Sequence, residues 1–382
     1  MSEQAPAHRD VARVFHISAV AALVIYTAHI AAAILIPLVV AGFLAFLIVT
    51  LKNKIADAPG IGRYLPNSVA FLAAFLTIIG GVLTLFNIIR PSVSELIAAG
   101  PEYQARFRGI IDTMGGALEQ FNVVETFLRE QGWLTEERDG EPLISQLLGS
   151  IRFGAIFSQL ASGARELAAN FLVILLYTAF FLIERGAFAK KIAAIAVAPD
   201  RKEAADAVLE HIFALIRGYL SIKTLTSMMT GLASYVVLQL VGVDFASFWA
   251  VLIFVLNFIP VIGSIVAVAF PVLLTAVQFA DPGRFALVLV LLTAIQQAVG
   301  SFIEPRLMGA SLNLSPLVIL LSLTVWGQLW GIPGMLLCVP LMVIITITLS
   351  QFKSTRAIAI LLSENGQIVD ISNGGPGSAP TA

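Results

Sequence analysis

Charge is what this chain has least of. Asp, Glu, Lys and Arg make up 12% of its 382 residues, where a soluble domain carries about a quarter. Hydrophobic residues make up 58%, and mean hydropathy is +0.91. Too few polar side chains remain to coat a water-facing globule, so lipid is the solvent expected for most of the chain. The formal net charge is −1, which argues against a nucleic-acid partner that needs a basic face. The single cysteine, Cys338, excludes an intramolecular disulfide and reads as a small hydrophobe inside an apolar run. The four histidines (His8, His16, His29, His211) make no HExxH spacing and no metal-ligand cluster, and no metal or other cofactor is expected. His16 and His29 lie near span ends and read as polar caps. The pattern GxxxxGK[ST] is missing, which argues against an ATP-driven pump. Charge-free windows leave no paired aspartates at membrane depth, and no Ser/His/Asp set stands out, so an enzyme is not expected.

What remains is long apolar windows. One charged side chain at a bilayer centre costs about 2.5–3.5 kcal/mol on insertion scales, so charge-free runs map the spans. Val14–Leu51 has room for two spans joined by a tight turn near His29. It runs on too far for a cleaved secretory signal, despite Arg9, Arg13 and the alanines at 31–33. Tyr64–Ile89 supports a third span, Leu167–Ile183 a short fourth, and Lys223–Val243 a fifth. Ala246–Ala280, Phe285–Ile303 and Leu307–Phe352 follow. The expected fold is an all-α polytopic membrane protein of about eight membrane-embedded segments, two of them broken by Pro and Gly, with a small helical extracytoplasmic domain.

The expected organisation is an N-terminus over 1–13, three spans over 14–89 and the extracytoplasmic domain over 90–165. A C-terminal bundle over 166–352 contains the broken segments 245–280 and 307–352, and a tail over 353–382 has a disorder-prone composition after about residue 370. In the domain, Phe107, Ile110, Ile111, Met114 and Leu118 recur at helical spacing. Pro91–Gly163 has no lysine, five arginines and ten acids. Lys52–Arg63 carries three basic residues and one acid, and the loop after Glu184 brings Arg185, Lys190, Lys191, Arg201 and Lys202. The positive-inside rule then puts those two loops and both termini in the cytoplasm and the acidic segment outside.

The two overlong windows carry the functional expectation. Ala246–Ala280 has 35 residues and Leu307–Phe352 has 46. A helix of 35 residues would be about 52 Å long against a hydrocarbon core of about 30 Å. The first is interrupted by Pro260 and Gly263 in NFIPVIGS, the second by Gly331, Pro333 and Gly334 in WGIPGM. Pro271 and Pro340 follow further on. Such clusters predict discontinuous helices or re-entrant hairpins, and paired broken segments point to a transport site. Kinks made only for packing are the alternative. If both windows turn back, span plus hairpin occurs twice in opposite directions, as an inverted repeat; if both cross once, the units are parallel.

Polar residues beside these breaks are the candidate pathway. Asn257 and Ser264 flank the first break and can serve a polar solute or the freed backbone. Gln296 and Gln297 stand in mid-window, where an unpaired amide costs several kcal/mol, and Asn313 and Gln328 are comparable. Glu304 and Arg306 bracket Pro305, as a gate or as caps of a helix end. Arg217 and Lys223 are expected to anchor at the interface. Asp244 and Asp281 are expected to be solvated loop residues, and Glu184 interfacial.

FIPVIGSIVAVAFPVLL and IEPRLMGASLNLSPLVILLSLTVWGQLWGIPGMLLCVPL, with IRGYL at Ile216–Leu220, resemble the autoinducer-2 exporter family of PerM-like permeases. Three spans, an extracytoplasmic domain and a C-terminal bundle fit the same layout, over most of residues 10–355. The resemblance implies a bacterial inner-membrane permease among membrane lipids that exports a small polar, autoinducer-2-like solute by alternating access, and a homo-oligomer. It also implies an alternative, sodium (lithium)/proton antiport with H+ or Na+ as coupling ion, for which Glu304 is the candidate titrating group. A non-transporting scaffold that binds a partner through its outer domain is the reading from another class. The chain departs from the family pattern at Asn257, where an acid is frequent, at Val261, where an aromatic is common, and at Ser264, where a second proline is common.

Overall fold

The computed structural model describes residues 25–58, 65–118, 169–184, 199–308 and 313–366 (353 excepted), with a few isolated positions beside them. Every element among the described residues is helical. In chain order they are α1 (Ala32–Ala56), α2 (Asn67–Leu118), α3 (Ala169–Glu184), α4 (Pro199–Val241), α5 (Ala246–Leu256) and α6 (Ile262–Phe279). Then come α7 (Pro282–Gln297), a π-helical turn (Ala298–Ile303), α8 (Glu304–Met308), α9 (Pro316–Ser350) and α10 (Arg356–Leu362). Among the described residues, six helices are long and apolar enough to cross a membrane: Ala32–Ala56, Asn67–Ile110, Asp206–Val241, Ile262–Phe279, Pro282–Met308 and Pro316–Ser350. Ala169–Glu184 and Ala246–Leu256 are shorter apolar helices. Residues 1–13, most of the acidic segment beyond Leu118 and the tail after Gly366 lie outside the described residues.

The helix limits differ from the charge-free windows in three places. In place of a tight turn near His29, the chain is helical on both sides of Ala31 (φ −82°, ψ 7°), whose N–H still reaches Thr27 O at 2.8 Å. The helix through the third window does not end at Ile89, and runs over Pro91 and Pro101 to Leu118. Each proline removes one backbone bond, and here the hydroxyls of Ser92 and Ser94 bond the carbonyls of Ile88 and Arg90 in the affected turn. Packing supports the extension, since Val93, Leu96, Tyr103 and Phe107 recur on one face and are buried. Finally, α4 begins at Pro199, well before Lys223. Lys223 itself is buried, with 8% exposure.

The chain forms two compact units, one of Met1–Ile79, Asn170–Thr224 and Arg306–Ala382, the other of Gly80–Ala169 and Leu225–Pro305. In the first, α1 buries Ala41, Ala45 and Ile48. Phe46 stacks on Phe213 of α4 at 6.3 Å, and Thr178 of α3 turns its hydroxyl to Ile174 O and Ala41 O. Trp330 of α9 donates from its indole N–H to Ala28 O at 3.1 Å. In the second unit the core joins Val93, Leu96, Tyr103 and Phe107 to Leu238, Trp249, Ile253, Leu274, Val288 and Leu292.

The faces of α4 show which solvent this fold expects. Thr226, Ser227, Thr230 and Ser234 are buried, at 0–1% exposure, while Leu225, Met228, Leu232, Val236 and Leu240 point outward at 49–81%. A water-soluble helix sorts the other way. Small and hydroxyl side chains inward with large aliphatic ones outward is the arrangement of a helix in lipid.

Candidate functional site

Both overlong windows fold back on themselves. In the first, α5 and α6 are joined by a turn over residues 257–261, and the far ends of the pair meet. Gln278, at the end of α6, accepts the Asp244 N–H and donates to Gly242 O, both at 2.9 Å, just ahead of α5. Trp249 adds an indole bond to Asp244 O at 3.1 Å. The two helices therefore run antiparallel as a hairpin. At its tip a Cβ on Gly263 would lie 1.8 Å from Leu256 O, so only glycine fits the close approach.

The tip is tightly wound. Ile262 N–H bonds Pro260 O at 2.6 Å around Val261, whose φ of 60° and ψ of −63° make a positive-φ γ-turn. Ser264 Oγ donates to Val261 O at 2.8 Å, so it serves freed backbone, one of the two roles open to it.

The second window repeats the device within α9. Gly331 (φ 62°, ψ −141°) interrupts it in a region that favours glycine. A Cβ on Gly334 would lie 2.0 Å from Trp326 O, and Met335 packs on Gly327. Residues eight apart in a straight helix would be about 12 Å apart along the axis, so 316–330 and 332–350 also turn back on each other. Pro333 falls in the first turn of the second arm, where its missing N–H leaves nothing unpaired. At the opposite end α10 bridges the arms: Ser315 N–H meets Leu362 O at 3.1 Å, and Thr355 Oγ1 meets Leu349 O at 2.8 Å.

The buried face of α4 meets the first hairpin at Asn257. This residue is 7% exposed, ends α5, and donates from Nδ2 to Ser227 Oγ at 3.1 Å. The neighbouring Thr226 hydroxyl donates to Glu304 Oε2 at 3.3 Å, and the Thr230 hydroxyl returns to Thr226 O at 2.9 Å. Gly231 lets the helices approach, since its Cβ position lies 3.0 Å from Ala250 O. Glu304 follows the π-helical turn, where its N–H reaches back five residues to Val299 O. Pro305 supplies the cause: its ring would press on the carbonyl four residues earlier, and one extra residue in the turn relieves it.

Asn257 and Glu304 are thus brought onto consecutive residues of one helix, by way of Ser227 and Thr226. Oxygen and amide groups line this cluster, which suits a polar solute or a cation. Nearby in sequence, Gln297 Oε1 accepts from Ser301 Oγ at 2.7 Å, and Gln296 Nε2 is buried with no hydrogen-bond partner among the described residues. Arg306 and Gln328 are exposed and belong to the other unit, as do Asn313, Gly331, Pro333 and Gly334. Asn313 (φ 41°) accepts the Glu364 N–H at 3.4 Å.

Several residues of the site were not singled out in the sequence. Thr226, Ser227, Thr230 and Ser234 lie at helical spacing in a charge-free window, and that spacing was the available signal. Asp244 is more than a solvated loop residue, because the Tyr103 hydroxyl donates to its Oδ2 at 2.7 Å. Arg106 sits beside this contact, bonding Gln278 O at 3.3 Å and Glu102 at 2.6 Å. Asp281 caps α7 through Gly283 N–H at 2.8 Å. Among the described residues no group of three or more His, Cys, Asp or Glu could hold a metal ion.

Comparison with known proteins gives this arrangement a family. The model described as AI-2E family transporter matches residues 17–354. The chain belongs to that family. A Haemophilus influenzae protein named "Putative transport protein" is 30% identical over 348 residues, covering 90% of this chain and 95% of the relative. The Escherichia coli protein named "AI-2 transport protein TqsA" is 28% identical over 334 residues, covering 87% and 90%. This AI-2E family member is a multi-pass membrane protein, and both hairpins and the polar face of α4 fall inside the matched residues.

Proposed function

We propose that this AI-2E family protein is a secondary transporter that exports a small polar solute by alternating access, with the first hairpin and the buried face of α4 lining the path. One observation carries the reading: Thr226 and Ser227 meet Glu304 and Asn257, with Thr230 and Ser234 buried on the same face, while the same helix turns its aliphatic face outward. Hydroxyls and amides replace water around a polar, uncharged solute at tolerable cost, and broken helices add backbone dipoles. The relative named an AI-2 transport protein suggests autoinducer-2 or a similar furanosyl molecule as the solute.

In this reading the first hairpin is re-entrant. Eleven residues of α5 give about 17 Å, short of a core of about 30 Å, so the chain enters and leaves by one side. With the second hairpin alike, span plus hairpin becomes an inverted repeat. The protein sits in the bacterial inner membrane as a homo-oligomer, with both termini cytoplasmic and the acidic segment outside. Cells or everted vesicles that hold the protein provide the test, with labelled autoinducer-2 as probe. Export well above the empty-vector level, lost in Asn257→Ala and Ser227→Ala variants of normal abundance, supports the reading; flux equal to the vector control overturns it.

A second reading, sodium or lithium/proton antiport, is favoured by the placement of Glu304. Its carboxylate is partly buried and accepts the Thr226 hydroxyl inside the same cluster. Glu304→Gln then abolishes pH-dependent sodium or lithium flux in proteoliposomes. Unchanged flux in that variant removes this reading.

A further inference from the structure

The tip of the first hairpin holds an unfavourable backbone that its surroundings do little to enforce. Val261 has φ 60° and ψ −63°. Positive φ is an outlier for a β-branched residue, and such strain persists where neighbouring structure holds it in place. Among the described residues little packs on the tip: Val261 is 59% exposed, and Ile262 and Ile265 beside it are 47% and 63% exposed. The second hairpin meets the same need with Gly331 at φ 62°, where no Cβ is present to object. The restraints on Val261 are polar and local. Ile262 N–H bonds Pro260 O, Ser264 Oγ bonds Val261 O, and Gly263 rests on Leu256 O. Among the described residues, the polar contact of this turn that reaches off the hairpin is Asn257 to Ser227, on α4.

We propose that the 257–264 turn is a two-state latch, in which the contact of Asn257 with Ser227 holds Val261 in its strained form and release of Asn257 lets Val261 relax to negative φ. Relaxation opens the Ile262–Pro260 bond and swings the tip, while the base stays anchored by Gln278 on Gly242 and Asp244. A solute that competes for Ser227 or Asn257 therefore trips the latch, and the tip moves when the site fills. The link to solute rests on the proposed transport function; the two states of the turn do not.

Two substitutions push the latch in opposite directions. Val261→Gly removes the penalty on positive φ, and Val261→Pro fixes φ near about −65° and forbids the strained form. The measurement is the spin–spin distance between cysteines at Ile262 and Leu240, in the full-length protein in nanodiscs with Cys338 replaced by alanine. These positions lie on the tip and near the far end of α4, and both are exposed. The parent shows two distances. Val261→Gly raises the ratio of the strained to the relaxed form at least about fivefold, while Asn257→Ala and Val261→Pro enrich the other distance. A Val261→Gly distribution identical to the parent's overturns the latch, and that variant decides the question even if Val261→Pro does not fold. No flux enters this measurement, so a failed latch leaves the transport reading intact. A chain that moves no solute can still show both distances.

Discussion

Gly263 and Gly334 are the residues least able to change. Each faces a carbonyl of the preceding arm at a distance that a methyl group cannot share, and backbone gives way less readily than a side chain. Overpacking costs about 1–3 kcal/mol, and more when backbone is the obstacle. Gly263→Ala and Gly334→Ala are each expected to lower Tm by several degrees in detergent-solubilised protein, or to abolish monodisperse expression. Gly80→Ala and Gly81→Ala give the contrast. Both glycines lie inside α2 with open space at the Cβ position, and alanine there adds up to about 1 kcal/mol of helix propensity. An unchanged Tm for the first pair, measured beside the second, speaks against the close hairpin tips. Asn257→Ala acts differently: it leaves the buried Ser227 hydroxyl without its donor and costs about 1–3 kcal/mol.

Among the elements, the first hairpin depends on its base. Gln278 makes two bonds that clamp the end of α6 to the chain ahead of α5, and Tyr103 and Arg106 of α2 brace the same place. Gln278→Leu keeps the bulk and leaves the Asp244 N–H and Gly242 O to solvent. Faster amide exchange over residues 242–246, with exchange over α1 unchanged, is the expected signature of a loosened base. Tyr103→Phe removes a hydroxyl bonded to a carboxylate, a class of bond worth about 1.5–3 kcal/mol when sheltered. Its destabilisation should shrink in an Asp244→Asn background, because each change removes part of the same contact.

For the molecule as a whole, the two hairpins make a prediction about sidedness. If both are re-entrant, Asp281 and Gly283 follow the first hairpin on the side where α4 ended, and α7 to α8 crosses back before Asn313. In a Cys338→Ala background, cysteine at Gly283 should react with an impermeant thiol reagent from outside and cysteine at Asn313 from inside. Reaction of both from one face would remove the inverted repeat, although the helical hairpins would stand as local structure. Membership of the AI-2E family, established over residues 17–354, does not depend on that outcome.

Charge and backbone chemistry are what made this protein legible from its residues. A buried charge is costly and proline lacks an N–H, so the long helices and both breaks stand out in one dimension. Family membership followed from the same segments. Contacts between distant residues were hidden, because nothing local marks them. Asp244 looked like a loop residue until Tyr103, 141 positions earlier, was found on its carboxylate. Pro91 looked like a boundary until a buried face on both sides of it carried α2 through. The hydroxyls of α4 were visible, but serine and threonine are nearly neutral toward lipid, so their inward direction came from packing against α5 and the π-helical turn. Hairpins rather than kinks came from the same source: Pro and Gly permit both, and the contacts of Gly263, Gly334 and Gln278 select one.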